Sequence, residues 1–565
     1  VYGYGYNGNN QLTSYTDANT KVTQYAYGTA DPMTGHSVLT KIIDPNGNIT
    51  KIVYDNGSPD YTPDPRVSSI IRCRDSQCAT SYTWTFTYHS GNTVVTDPNG
   101  HTWTYGFDAD GRETSVTDQD SHQTKIGWTG DNQVLSVQLP SGHTTTYTYS
   151  GDGKHNLTQV QEATGASSSC TYANAGFPYL PDSCIDAQGN RSTFGYSSQG
   201  VPNSITDGNN HTSTAIYNLN GIVQSTTDGN SHTTSYGYFG NGLLQTVTPP
   251  SVPAPNTLGP TSFVYNSYNL PQTVTDGKSQ IATYSYDPLN RPTGAGYADH
   301  TSVGYALDNE GNVLSMADGT GTTNYQYNAL SQQTKKTLPN SQTVNYSWDG
   351  AGNLLNKTDG SGTTTYGYNA EDGLTDVTDA HSNHVRFGFD QDGNWTSEAF
   401  PNGVTQSVGY DAAGHLTSIG ARKSDGTQLT AFTYGYDKPN TNPVLHTDLR
   451  WTETDMIQGN TLQTWSAANT FDAANQVTDV LQSGSFTNHW QYGFDPAGNR
   501  TSVTANGSQT TLGYNAADEL TQMGSTTYSY DGNGNRMGSS AGQALSYNAQ
   551  DQTTSITPPA ELRRR

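Results

Sequence analysis

The stretch "YGYNAEDGLTDVTDAHSNHVRFGFDQDGN" runs from Tyr366 to Asn394. It states one pattern twice: two aromatics flanking a Gly, then Asn or Asp, then a short polar run ending in Gly. The turn residues Asn369 and Asp390 lie 21 residues apart. With the residue before each Asp or Asn as marker, the series continues through Tyr286, Leu307, Tyr327, Trp348, Tyr368, Phe389 and Tyr410 in steps of 20 or 21. Phe107, Trp128 and Tyr149 keep the step of 21, as do Tyr196, Tyr217 and Tyr238. A fixed period of this length marks a repeat architecture, and about 27 units would fit the chain.

Each unit carries two turn signals. One follows the aromatic, as in "DADG" at 108–111, "DQDG" at 390–393, "DAAG" at 411–414 and "DPAG" at 495–498. The other comes about ten residues later, as in "DPNG" at 44–47 and 97–100. Asp at the first position accepts hydrogen bonds from the backbone two residues on, and Gly at the fourth supplies positive φ. A type I turn closed by such a residue connects hairpin strands. Between turns lie Thr-, Val- and Tyr-rich runs such as "TTTYGYN" at 363–369. Tyr-x-Tyr places both rings on one strand face. Leu374 and Val377 are three apart, which breaks strict alternation and predicts a bulge beside the turn.

Composition bounds the function. Of 49 acidic residues 41 are Asp and 8 are Glu, a ratio that favours turns over helices. The net charge of −24 argues against nucleic acid as a partner, since a duplex binder needs a basic face; the only basic run is Arg563–Arg564–Arg565. No stretch approaches a membrane-spanning run of about 20 apolar residues. Val1 opens the chain without a signal-peptide core, so a mature product or a fragment is expected. The cysteines form two local pairs, Cys73/Cys78 and Cys170/Cys184, without metal-site spacing. Disulfides that staple interruptions, in an oxidising compartment, are the preferred reading; unpaired thiols are the alternative.

Roughly 50 strands at 4.7–4.9 Å spacing make a ribbon of roughly 240 Å, which must coil because sheets twist. Only 32% of residues are hydrophobic, too few for a solid core. The expected fold is therefore all-β: a long antiparallel hairpin-repeat sheet coiled into a hollow spiral shell. A straight β-solenoid ranks second. Irregular insertions are expected near 56–83, with Pro59, Pro63 and Pro65, and near 163–185, 249–260 and 438–466.

"YSWDGAGNLLNKTDGSGTTTYGYNAEDGLTDVTD" and "FGFDPAGNRTSVT" resemble the YD repeats of bacterial Rhs (rearrangement-hotspot) and wall-associated proteins. Related repeats occur in the cocoon-forming subunits of insecticidal toxin complexes and in teneurins. The resemblance spans essentially the whole chain. It implies a β-sheet cocoon whose hollow holds a C-terminal toxic domain, released by an aspartyl autoprotease in a core after the repeats. The chain ends at "SITPPAELRRR" without such a core, so residues 1–565 read as a single, incomplete shell segment. Asp495 lies in an ordinary repeat turn, and the protease role is not carried onto it.

Other motifs yield no site. Gly3–Gly8, "GYGYNG", matches a dinucleotide fingerprint, but no helix signal follows. Gly538–Gly542, "GSSAG", matches a nucleophile elbow around Ser540, but in a hairpin setting. Asp108/Asp110 and Asp390/Asp392 are similar to calcium loops that lack the closing Glu. The 14 His are scattered, often in turns such as "GNNH" and "GNSH". No catalytic, cofactor-binding or metal residue is assigned and no cofactor is expected. The expected function is a non-enzymatic shell for a toxin or effector cargo, in a secreted or cell-surface protein. The alternative is an adhesin that binds glycans or partner proteins through its outer face.

Overall fold

The structure is a computed structural model that describes residues 2–30, 37–55, 66–459 and 461–558. The expected prolines Pro59, Pro63 and Pro65 and the terminal arginines lie outside these. Among the described residues there is no helix, and the chain forms 52 strands. Fifty belong to one antiparallel sheet; Asp437–Lys438 and Leu445–His446 form a separate hairpin. Strands pair with their sequence neighbours, and Gln428–Gly435 pairs with Thr452–Gln458 across that hairpin. The all-β hairpin meander read from the period is the observed fold.

The unit of the opening stretch shows why. Strand Gly362–Tyr368 turns through 369–373 into Leu374–Thr378, which turns through 379–383 into His384–Phe389. In each turn the first residue's N–H donates to the carbonyl four residues on: Asn369 to Gly373 at 2.9 Å, Asp379 to Asn383 at 3.0 Å, Asp390 to Asn394 at 3.0 Å. The first side chain accepts two more N–H bonds: Asp390 Oδ1 takes those of Asp392 (3.0 Å) and Asn394 (2.9 Å). Both turns of a unit thus have one geometry. Gly393 takes the positive φ of +80° as expected, but in the sister turns Asp372 (+60°) and Ser382 (+63°) occupy that position. The turn demands the left-handed conformation, and short polar residues supply it where Gly does not.

The bulge is present. Tyr368 pairs with Leu374 but Gly367 pairs with Asp376, so two residues oppose one. The same shift recurs at Phe389/Trp395 and Trp348/Leu354. It serves the next unit: the Tyr368 hydroxyl donates to the carbonyl of Leu354, the bulge residue one unit back, at 3.0 Å. Tyr327 reaches Val313 (2.9 Å), Tyr27 reaches Leu12 (2.9 Å), and the Trp348 indole reaches Gln333 (2.9 Å). Burial raises the pKa of Tyr327 and Tyr368 above the usual phenol value, so they stay protonated donors. The repeated aromatic is an inter-unit tie.

Burial is shallow. Only Cys73, Ala166, Ala187, Val252, Val408 and Trp451 are buried apolar residues among those described. The chain divides into two compact units: 1–144 with 285–295 and 302–405, and 145–284 with 296–301 and 406–565.

In the irregular ranges the sheet persists further than proline content suggests. Val67–Cys73 and Ser81–His89 are paired strands, with the Cys73–Cys78 disulfide in the turn between them. Cys170 and Cys184 face each other across strands Ser167–Thr171 and Ser183–Ile185 and are bonded, closing the loop 172–182. Residues 249–260 leave the ladder. In 438–466 the ladder resumes at Thr452–Gln458. Before it the Trp451 indole donates to Thr447 Oγ1 at 2.9 Å and packs edge-on to Phe471 at 4.9 Å.

Candidate functional site

The chemically dense part of each unit is its row of Asp turns. In the first unit the turns of residues 17–142 meet those of 287–392. The third residue of a turn in one row reaches the first Asp of a turn in the other. Asn19 Nδ2 donates to Asp287 Oδ2 at 3.0 Å, Asn46 to Asp308 at 2.9 Å, and Asn99 to Asp349 at 2.9 Å. At the end of the row Ser141 N–H donates to Asp392 Oδ1 at 2.8 Å.

The second unit repeats the device. Asn533 Nδ2 donates to Asp276 Oδ2 at 2.7 Å, and Ala473 N–H donates to Asn209 Oδ1 at 3.1 Å. Lys278 Nζ lies 3.2 Å from Asp531 and 2.9 Å from Asp551. Here backbones approach so closely that a side chain would not fit. A methyl group on Gly208, Gly229 or Gly277 would overlap the carbonyl oxygen of Ala473, Pro496 or Gly532.

The seam carboxylates differ in protonation. Burial works to raise Asp308 and Asp349, but hydrogen bonds from Asn312 and Asn46, and from Asn353 and Asn99, outweigh it and hold both below the usual range. Glu310 goes the other way: desolvation of its carboxyl, then the hydrogen bond and charge of Asp44, push it up to about 7. His122 Nδ1 lies 3.1 Å from both Asp118 Oδ2 and Glu371 Oε1, and Glu371 first, then Asp118, raises its pKa.

The motif residues fall into structural places. Gly3–Tyr6 is a strand that runs into the turn of Asn7. Ser540 Oγ accepts the Thr527 N–H at 2.9 Å. Asp108 and Asp110 pair with Arg112 at 2.8 and 3.1 Å. Asp390 organises its own turn, and Asp392 serves the seam. Asp495 accepts the N–H groups of Ala497 (3.0 Å) and Asn499 (2.9 Å); burial would raise it, but the Asn230 and Asn499 side chains hold it low. The seam residues Asn19, Asn46, Asn99, Gly208, Gly229 and Gly277 were not singled out from sequence. The signal was Asn at the third turn position, in "DANT" and "DPNG", and Gly at the second, in "DGNN", "DGNS" and "DGKS".

Residues 444–559 match the teneurin YD-shell family model, and residues 89–122 and 327–364 match the RHS repeat model. No curated protein matches the chain. The structure is similar to that of TcdB2-TccC3, with a TM-score of 0.60 and 14% identity over 98% of this chain and 38% of that one. It is similar to TcdB2-TccC3 without the hypervariable C-terminal region, at 0.62 and 13% over 98% of this chain and 39% of that one. The Photorhabdus luminescens Tc holotoxin pore matches at 0.55 and 13%, over 100% of this chain and 32% of that one. The fold is therefore of the YD-shell class, and the resemblance to the Rhs and YD-repeat proteins stands on these matches. The chain spans less than two fifths of the relatives' length.

Proposed function

We propose that residues 1–565 act as one structural shell segment of a secreted Rhs/YD-repeat protein, enclosing a toxin or effector cargo, and that the segment is not itself an enzyme. The observation that carries this reading is the interlocked seam, in a chain whose fold follows the toxin-complex structures over 98% of its length. Seams closed by Asn–Asp bonds and glycine backbone contacts turn a ribbon into a wall. The two disulfides suit an oxidising compartment. The adhesin alternative rests on the exposed tyrosines Tyr2, Tyr4 and Tyr6 in and beside the first strand, two of which pack on Tyr15; the other exposed tyrosines, such as Tyr179 and Tyr268, stand apart.

Small-angle scattering tests the enclosure. A hollow or crescent particle exceeds the radius of gyration of about 24 Å expected for a compact chain of this length. A value at or below that figure overturns the reading. Glycan-array binding by the isolated chain, with no toxin and immunity genes downstream, would favour the adhesin instead.

A further inference from the structure

We propose that Asp97, His101 and Asp372 form a binding site for a divalent transition-metal cation of the zinc class, placed on the seam of the first unit. Asp97 and His101 begin and end one turn of the first row. Asp372 sits at the left-handed position, φ +60°, of a turn in the second row. One ligand atom from each lies within 4.8 Å of the others.

The second observation is that two of the three donors, Asp97 Oδ2 and His101 Nδ1, make no hydrogen bond and only a long ion pair with each other. The Asp97 side chain is 5% exposed, and its Oδ2 is buried with no hydrogen-bond partner. His101 Nδ1 is also buried without one. These two atoms face each other at 3.4 Å, beyond ordinary N–H···O length. Tetrahedral zinc with ligands at 2.0–2.2 Å needs donor atoms about 3.3–3.6 Å apart. Buried polar atoms without partners call for an explanation, and an ion between them is one. One imidazole and two carboxylates suit zinc, and the two negative charges balance a dication.

The surroundings hold the donors in place. Asp97 Oδ1 is taken by the His101 N–H at 2.7 Å, which leaves Oδ2 to the site. Asn353 donates to Asp372 Oδ1 at 2.6 Å, and Asn99 ties the first turn to Asp349 at 2.9 Å. Support of this kind orients metal ligands. The Asp–His turn recurs at Asp228/His232, near Asp518, where the His232 Nδ1 is likewise orphaned. There the Asp228 side chain is 27% exposed, so the site proposed is the one whose first Asp is buried, with His101 half-buried and Asp372 exposed at its mouth.

The test is Zn2+ titration of the EDTA-treated, dialysed full chain, with bound metal counted by mass spectrometry. The wild type binds one zinc more than His101→Ala or Asp372→Asn. At a hundred times the dissociation constant, zinc slows local hydrogen exchange of the turns at 97–101 and 369–373 by about 100-fold in the wild type only. Co2+ gives the visible absorption of a tetrahedral site, lost in His101→Gln. Equal zinc stoichiometry in wild type and both variants overturns the proposal. So does preference for Ca2+ over Zn2+ that survives loss of His101. Unchanged circular dichroism of the variants separates loss of a ligand from loss of the fold.

Discussion

Asp455 gives the sharpest test of the sheet's electrostatics. It lies mid-strand in Thr452–Gln458, is 3% exposed, and its Oδ1 has no hydrogen-bond partner. Burial first, then neighbouring Glu453, pushes its pKa from 3.8 up to about 7. Between those values the folded chain keeps a proton that the unfolded chain has released. The contribution of this group to stability is therefore full at low pH, falls as pH rises through that window, and is flat above it. A shift of about three units at 1.36 kcal/mol each sets a ceiling of about 4 kcal/mol on the loss across the whole window. A repeat chain does not unfold in two states, so the assay is local hydrogen exchange, corrected for intrinsic rate, in Gln428–Gly435, Thr452–Gln458 and Leu462–Phe471. Between pH 4.5 and 8, which covers most of that window, protection should drop by up to about 250-fold. Asp455→Asn, neutral at both, should flatten the profile. An unaltered pH dependence in Asp455→Asn would refute the assignment.

Gly229→Ala places a methyl on the Pro496 carbonyl and should cost about 1–3 kcal/mol, read as faster exchange at both turns; Gly240→Ala, with open space around it, should be neutral. Gly393→Val meets no neighbour but sits at φ +80°, so backbone strain alone should cost about 1–3 kcal/mol. Phe389→Tyr should be neutral or gain up to about 1 kcal/mol, because a hydroxyl there would be placed to reach the Leu374 carbonyl as its sister tyrosines do; a loss of local protection would contradict the tie. Non-reducing peptide mapping of oxidatively exported protein should recover Cys73–Cys78 and Cys170–Cys184, and reduction of the latter should loosen residues 172–182 first; four alkylatable thiols would refute the pairing.

The fold was legible because its information is local. Tyr368, Asn369 and Leu374 specify a hairpin and bulge within seven residues, and repetition averages out exceptions such as Leu307. The seam was not legible because it joins residues 249–289 apart, as in His122–Glu371 and Asp186–Asn475, with no sequence period to reveal the match. Asn46 and Asn99 read as turn filler because Asn suits a turn whether or not it faces another row. Gly229 read the same way, although its absent side chain serves a neighbour rather than its own backbone. The His of "DQDSH" read as one of many scattered turn residues because its partner Glu371 lies on the other row. The extent of the irregular ranges was overdrawn where proline or cysteine was taken to end a strand that in fact begins beside it, as at Val67–Cys73.

The two kinds of bond also differ in when they can form during synthesis. A tyrosine-to-bulge tie needs a partner 14 or 15 residues back, so each hairpin can close on its predecessor as soon as it leaves the ribosome. A seam bond such as Asn99 to Asp349 must wait for 250 more residues. At about 5–20 residues per second that wait is roughly 12–50 s. Through that interval the first row's turns stand with their carboxylates and bare glycine backbones open to whatever else is nearby. The acidic character of those turns makes them repel one another and other acidic surfaces through that interval.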